Sequence, residues 1–180
     1  MRDADKKEIA CVLQDGVDAL AAALRGVDEV MATLRPHPES WSVLECVEHI
    51  ALTEEALLAR LREARSADES REDRARETRF QELALNRLRR IDAPEPVIPK
   101  LGPQSLAETC ERFETVRRQT LSYVEEFEGD LRWWLTVHPL ITRPVNCYEM
   151  LLLIALHPKR HAQQIADIRE QLSRLRSQMK

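Results

Sequence analysis

The amino-acid sequence predicts an all-α fold, a four-helix bundle formed by a single domain over residues 1–180. The chain has only four glycines among its 180 residues, and leucine, alanine, arginine and glutamate are abundant, which favours helices. Four segments carry apolar residues at alternating steps of three and four, the spacing of a helix with one buried face. Because no internal repeat is visible, a bundle is the simplest fold that buries all four faces.

The first two helices follow each other closely. Apolar residues form one stripe over residues 9–34, which predicts a single helix. Two prolines within residues 35–38 end it, because proline lacks a backbone N–H and biases the preceding residue away from helical dihedrals. The second helix covers residues 42–61. Ser42 and Glu45 at its start have the spacing of a capping box.

The middle of the chain is predicted to add nothing to the core. Residues 62–79 are mostly charged and hold no apolar side chain larger than alanine, so they form a solvated helical extension or a connection. Residues 80–91 regain some helical periodicity. Prolines within residues 92–99 then prevent regular structure, and we interpret this linker as an excursion within one domain.

Two more helices complete the predicted bundle. Helix three follows Ser105, which forms a second capping box with Glu108, and it ends before Gly129. Helix four begins at Asn146, which has the spacing of an N-cap with Glu149.

Composition excludes several classes of function. A net charge of −4 and a pI near 5.8 argue against a nucleic-acid-binding protein. The N-terminus lacks the apolar core of a signal peptide, and the longest apolar run is too short to cross a bilayer, so no membrane partner is expected. The four cysteines are widely spaced, which indicates reduced core residues. We therefore expect a cytoplasmic protein.

Helix four carries the most informative feature, a pair of histidines, His157 and His161, on its apolar stripe. Their spacing of four brings both imidazoles to one face, where they can bind one metal ion. Burying two adjacent imidazoles is costly unless something satisfies their nitrogens. His49 on helix two is the best candidate for a third ligand, provided that the two helices pack side by side. Three imidazoles and an open coordination position are typical of a reactive metal site.

Neighbouring residues are weaker candidates for a role. Gln164 shares the histidine face and is placed to hydrogen-bond a ligand or a bound water, although a polar residue at the edge of the stripe is an equally good interpretation. Glu45 is a candidate to orient His49 or to act as a base, but capping already explains it. Cys46 is a candidate soft fourth ligand, which would close the site. His138 is a loop residue that could line the mouth of the site, although a surface position is the simpler interpretation.

Several motifs follow one another along the chain: Trp41-Ser42 leading to His49, the proline-rich entry to helix three, Asp130-Leu131 followed by His138-Pro139, and finally His157-x-x-x-His161-x-x-Gln164-Ile165. In this order they resemble the DinB-like (YfiT-like) four-helix-bundle superfamily. It implies an up-up-down-down bundle with a long crossover, often a homodimer. It also implies a divalent metal held by His49, His157 and His161.

The resemblance further implies an enzyme that acts on a small-molecule substrate. Characterised branches include thiol S-transferases and a thiol-dependent maleylpyruvate isomerase, so a low-molecular-weight thiol is an implied cofactor. Our first hypothesis is a transferase or hydrolase in which zinc, nickel or iron lowers the pKa of a thiol or water. Arg143 and Arg160 would then bind an anionic group of the cofactor, although solvated surface arginines are the simpler interpretation. The alternatives are a noncatalytic metal-binding and dimerisation bundle, or a plain bundle whose histidines make ordinary hydrogen bonds.

Overall fold

Four long helices pack side by side in the computed structural model, which describes residues 3–68, 73–87, 92–100, 102 and 104–178. The described helices are α1 (Asp3–Leu24), α2 (Glu29–Thr33), α3 (Val43–Arg62), α4 (Arg74–Leu85), α5 (Leu106–Glu126) and α6 (Cys147–Gln178). Short 3-10 helices occupy Glu95–Val97 and Leu131–Trp133. The bundle itself consists of α1, α3, α5 and α6, so the predicted four-helix bundle is confirmed.

The single helix predicted over residues 9–34 is wrong at its end. Helix α1 ends at Leu24, and Gly26 adopts a φ of 75°, a left-handed conformation that glycine reaches without steric cost. Asp28 then caps the separate helix α2 by accepting a hydrogen bond from the Met31 backbone N–H (2.7 Å). Apolar residues keep the helical spacing through this break, which is why periodicity alone did not reveal it.

The predicted start signals of the other three bundle helices are confirmed. Ser42 and Glu45 form a reciprocal capping box, in which the Ser42 backbone N–H donates to the Glu45 carboxylate (2.8 Å). Ser105 and Glu108 form the same box at the start of α5. At the start of α6, the Glu149 backbone N–H donates to the Asn146 side chain (2.8 Å). These caps set where each helix begins.

Contacts between α6 and its neighbours fix the helix directions. Helices α1 and α6 are parallel: Lys159 donates to Asp15 (2.8 Å), and farther along both helices Arg169 donates to the Ala23 carbonyl (2.6 Å). Helices α3 and α6 are antiparallel. The carbonyl of Arg60, near the end of α3, accepts a hydrogen bond from Thr136, which precedes α6 (2.8 Å), whereas the start of α3 lies beside the middle of α6.

Helices α3 and α5 are parallel, because Arg112 pairs with Glu55 (2.6 Å) and, farther along both, Tyr123 donates to the Leu61 carbonyl (3.2 Å). The directions along the chain are therefore up, down, down and up for α1, α3, α5 and α6. The long crossover is present between α3 and α5. The up-up-down-down order implied by the family resemblance does not match these contacts, because it requires the first two bundle helices to be parallel.

The charged segment over residues 62–79 contributes to the interior, contrary to expectation. Glu77 of α4 is buried, and its carboxylate accepts a hydrogen bond from Arg132 Nε (2.7 Å). The Arg132 side chain is fully buried and also lies 3.3 Å from the Asp5 carboxylate of α1. Buried charges persist only when they are paired, so these contacts hold α4 against the bundle.

A small antiparallel sheet joins the ends of the helices. Its strands are β1 (Arg65–Ser66), β2 (Trp134–Thr136) and β3 (Val145–Asn146), in the order β1-β2-β3. Each strand has only two or three residues, too few for the alternating pattern that identifies strands in a sequence. The sheet places the segment between β2 and β3 beside the start of α6.

Gly16 sets the distance between α1 and α6. A Cβ atom at this position would lie 2.6 Å from the Ala155 carbonyl oxygen and 3.6 Å from the Pro158 ring. The first distance is too short for any side chain, so glycine is required for this approach of the two backbones.

Among the described residues, no helix is both long and apolar enough to cross a membrane.

We expect Gly16→Ala to lower the free energy of unfolding by about 1–3 kcal/mol, because the added methyl group meets a backbone carbonyl that cannot rotate away. Urea denaturation followed by circular dichroism measures the change. The sign of the change in unfolding free energy is informative, since alanine normally stabilises a helix interior by about 1 kcal/mol relative to glycine. Ala21→Gly, at an exposed position of the same helix, is the matched control and should cost about 1 kcal/mol. A Gly16→Ala variant as stable as the native protein would show that the contact relaxes freely.

Candidate metal centre

Helices α3 and α6 bring the three predicted histidines together. His49 lies in the first half of α3, and His157 and His161 lie in the middle of α6. One ring nitrogen of each lies within 4.8 Å of the corresponding nitrogen of the other two. His49 and His161 are each only 6% exposed, and His157 is half-buried. Among the described residues, no other group of histidine, cysteine or carboxylate side chains converges in this way.

Gln164 fixes the hydrogen position on His161. The Nδ1 of His161 lies 2.9 Å from the Gln164 side-chain oxygen, which can only accept, so Nδ1 carries the proton. The Nε2 of His161 then has a free lone pair, and it points to the Nε2 of His157 at 3.1 Å. Gln164 was predicted to hydrogen-bond a candidate ligand, and it does so.

The proline-rich linker fixes the hydrogen position on His49. Its Nδ1 donates to the backbone carbonyl of Val97 at 2.7 Å, which leaves Nε2 with a lone pair. Val97 belongs to the 3-10 helix in the linker that was expected to hold no regular structure. The contact comes from a backbone oxygen, so no residue type in the sequence pointed to it. Backbone and amide acceptors of this kind orient metal-binding histidines in many proteins.

Burial keeps the three imidazoles neutral. It lowers the pKa of His49, and it lowers the pKa of His161 to about 3. The pKa of His157 falls well below its usual value because of burial and then because of the neighbouring His161 and His49. A metal ligand must be a neutral imidazole, so all three rings are in the required state at pH 7.

The donor set fits a divalent metal. Two imidazole nitrogens on one tetrahedral ion, each about 2.0–2.1 Å from it, are separated by about 3.3 Å. The observed 3.1 Å between the Nε2 atoms of His157 and His161 is close to this value. A purely nitrogen set suits zinc, nickel and iron, so the three metals predicted from the sequence all stay open.

Cys46 and Glu45 do not join the cluster. Cys46 is fully buried, and burial followed by the charge of Glu45 raises the pKa of its thiol to about 12, so it stays protonated. Both oxygens of Glu45 are taken, one by the Ser42 backbone and Arg35 Nε (2.8 Å each) and the other by the Arg35 Nη2. Capping therefore accounts for Glu45, and the Nδ1 of His49 is oriented by Val97 instead.

The remaining cysteines are free thiols. Cys147 is buried and Cys110 is half-buried, as expected of core residues, whereas Cys11 is exposed on the outer side of α1. The prediction that all four cysteines belong to the core is therefore wrong for Cys11.

Two further side chains surround the histidines. The Trp41 ring lies 4.7 Å from the ring of His49 and stacks at 6.3 Å on that of His161, centroid to centroid. His138, in the segment between β2 and β3, is half-buried and accepts a hydrogen bond from the Leu140 backbone N–H at Nδ1 (3.1 Å). A charge on His138 would lower the pKa of His157, so it lies within electrostatic reach of the centre. Trp41 therefore borders the site by direct ring contact, whereas His138 is linked to it only through the charge effect.

Comparisons with known proteins identify a family and a similar fold. The family model described as the DinB superfamily matches residues 13–165. The fold resembles TT2238, described as a four-helix bundle protein (TM-score 0.58, 20% identity, 90% of this chain and 98% of that one). It also resembles YfiT from Bacillus subtilis, described as a probable metal-dependent hydrolase with an unusual four-helix bundle topology (TM-score 0.57, 14% identity, 97% of this chain and 90% of that one). No curated protein matches significantly.

His161→Ala is expected to abolish stoichiometric metal binding while leaving helix content unchanged, because it removes one of three converging lone pairs. Elemental analysis of untagged protein, after reconstitution with zinc, nickel or iron, measures the metal content, and circular dichroism measures the helices. His37→Ala, at an exposed histidine outside the cluster, is the control and should bind as much metal as the native protein. Full metal content in His161→Ala would contradict the site.

The metal-free protein should lose stability as the pH falls below about 6.5. An unfolded imidazole titrates near pH 6.5, whereas His161 stays neutral in the folded state down to a pKa of about 3. The unfolded state therefore binds more protons between these values, and at pH 5 this residue alone costs about 2 kcal/mol. Urea denaturation at pH 7 and pH 5 in a chelator measures the loss. His161→Gln should lose less stability than the native protein between pH 7 and pH 5, whereas His37→Gln should lose as much as the native protein. An equal loss of stability in the native protein and both variants would refute the assignment of the effect to His161.

Proposed function

The chain belongs to the DinB superfamily, and from that premise we propose that it is a metal-dependent hydrolase of a small molecule, with His49, His157 and His161 as metal ligands. One observation carries the proposal. The Nδ1 atoms of His49 and His161 are occupied by Val97 and Gln164, so their Nε2 lone pairs are available inside the cluster. Rings held in this way present their Nε2 lone pairs where a cation can bind them.

The nitrogen-only donor set supports a reactive centre rather than a closed structural one. Three protein ligands leave a coordination position open, and neither the Cys46 thiol nor the Glu45 carboxylate fills it. A divalent ion held by the three histidines would supply Lewis acidity, which would lower the pKa of water toward neutral pH. This feature favours the enzyme hypothesis over the noncatalytic metal-binding bundle.

The chain's own residues position and enclose the reaction. Val97 and Gln164 hold two of the rings in the tautomer that presents Nε2. Trp41 covers His49 and His161 and limits the access of bulk water. The proton of His138 resides on Nε2, since its Nδ1 accepts from the backbone, so His138 can donate a hydrogen bond to a substrate that enters beside His157.

Hydrolysis is favoured over thiol transfer by the description of YfiT as a probable metal-dependent hydrolase. A low-molecular-weight thiol, a homodimer and a cytoplasmic location stay predictions from the sequence. The thiol hypothesis predicts turnover that depends on an added thiol, so one assay run with and without a thiol separates the two chemistries.

We expect the metal-loaded protein to hydrolyse one class within a panel of activated carboxylic esters, amides and phosphoesters, and to lose this activity by at least about 100-fold in a chelator, because the ion generates the nucleophile. Release of a chromogenic leaving group measures the rate, and His157→Ala should match the chelated protein. His37→Ala serves as the control and should keep full activity. Stoichiometric metal without turnover of any panel member would favour the noncatalytic bundle.

A further inference from the structure

Helix α4 is attached to the bundle by charged side chains more than by apolar ones. Among the α4 side chains that the structure describes, only Glu77 is buried. Leu83 is 53% exposed, Leu85 is 36% exposed, and Phe80 is half-buried against the core. Helices α1, α3, α5 and α6, by contrast, each bury apolar side chains in the common core. Because the removal of apolar surface from water drives packing, α4 has little driving force to stay docked.

Contacts with α6 fix where α4 lies. The Nε atom of Arg76, in the first turn of α4, is 2.9 Å from the carboxylate of Glu149, at the start of α6. In the last turn of α4, the Ala84 carbonyl accepts a hydrogen bond from Arg160 (3.5 Å). Glu149 and Arg160 are separated by about three whole helical turns, so both lie on the same face of α6. The two helices therefore run parallel and side by side along this face.

The histidine pair lies beside the face of α6 that α4 covers. His157 and Arg160 are three residues apart, which makes them neighbours on the helix surface. Helix α3 approaches the pair with His49, whose ring centroid is 5.0 Å from that of His157. His157 is half-buried, whereas His49 and His161 are each only 6% exposed. Helix α4 therefore forms a wall of the metal centre beside the most accessible of its three imidazoles.

The buried charges that hold α4 oppose its departure only weakly. The Glu77 carboxylate accepts a hydrogen bond from Arg132 Nε (2.7 Å). Deleting one partner of such a pair strands the other charge, but moving the whole helix away exposes both charges to water. The hydration regained offsets most of the attraction lost, and Arg132 keeps its contact with Asp5 of α1 (3.3 Å). The pair thus specifies the closed position of α4 without making it strongly favoured.

We propose that α4 is a gate of the metal centre, which opens away from the folded bundle and closes again, so that small molecules reach His157. Elements with few buried apolar contacts open locally while the rest of a protein stays folded. Such elements serve as lids because they exclude water during a reaction and then release the product. The role as a gate rests on the proposed function, whereas the opening of α4 is a property of the bundle itself.

Amide hydrogen exchange of the metal-free protein, read by mass spectrometry of its peptides, tests the opening. We expect α4 amides to exchange at least about 100-fold faster than the buried amides of α3 and α6, because α4 needs only a local opening. Arg76→Gln, which removes the ion pair with Glu149, should speed exchange in α4 about 10-fold further. Arg112→Gln, at the Glu55 ion pair between α3 and α5, is the matched control and should leave exchange in α4 unchanged.

Acylation of His157 by diethyl pyrocarbonate, which reacts with accessible neutral imidazoles, tests the gating. In the metal-free protein at pH 7, Arg76→Gln should raise the rate of His157 labelling, because α4 is open for a larger fraction of the time. His37, an exposed histidine outside the cluster, is the internal reference, and its labelling rate should not change. Arg112→Gln should label His157 as slowly as the native protein does.

Each outcome decides the proposal. Exchange in α4 as slow as that in α3 and α6 overturns it, because α4 would then open only when the whole bundle unfolds. Exchange at the rate of an unfolded chain also overturns it, because α4 would not close. Faster exchange in Arg76→Gln with unchanged labelling of His157 would show that α4 opens without gating the centre, which overturns the gate.

A milder variant covers the case in which Arg76→Gln fails to fold by circular dichroism. Asp167→Asn removes the partly exposed ion pair with Arg87, just beyond the end of α4, and should change exchange and labelling in the same direction. Both measurements use the metal-free protein, so an inactive protein would sink the hydrolase and leave the opening of α4 standing. Hydrolysis by a protein whose α4 never opens would sink only the gate.

Discussion

The removal of three imidazoles from water is the constraint on which the rest of the structure depends. A buried polar nitrogen without a partner is costly, and six ring nitrogens meet at the contact between α3 and α6. The two outer Nδ1 atoms of His49 and His161 are satisfied by a linker carbonyl and by an amide one turn away. The inner Nε2 atoms of His157 and His161 are 3.1 Å apart, close to the separation of two nitrogens that bind the same ion. The outer nitrogens of His49 and His161 are thus satisfied, and the inner side of the cluster is open to a cation.

The remaining contacts of the bundle hold α3 and α6 in this relation. Gly16 lets α1 approach the backbone of α6 next to the histidine turn. On the other side, Glu54 of α3 is buried against Arg117 and Thr120 of α5 (2.8 Å to each). Because a buried ion pair is strongly destabilised when one partner moves away, this contact fixes the position of α3 along α5. The helices that carry no histidine thereby determine the geometry of those that do.

Local sequence patterns predicted most of the helices and of the candidate site. The features that they missed depend on contacts between residues far apart in the chain. The capping residues, the pair His157 and His161, and Gln164 are readable because each depends on neighbours within one or two turns. His49 could be proposed as the third ligand only on the condition that its helix packs against theirs. The burial of Glu77 could not be predicted in this way, since it depends on Arg132, which lies more than fifty residues away in the chain. Helix directions likewise follow from pairings between helices, which periodicity does not record. Val97 escaped notice because its contribution is a carbonyl that every residue possesses.

The His49 imidazole contacts the linker through the Val97 carbonyl, and a metal bound at the centre would be its second partner. Each binds a different nitrogen of His49, and each favours the same tautomer. By thermodynamic reciprocity, if the linker contact strengthens metal binding by some factor, metal binding strengthens the linker contact by the same factor. The part of the crossover around Val97 would then be coupled energetically to an ion bound at the centre, because both contact His49. A molecule that displaced this segment from α3 would weaken metal binding without touching the metal, so the connection between helices can act as a control point for the chemistry.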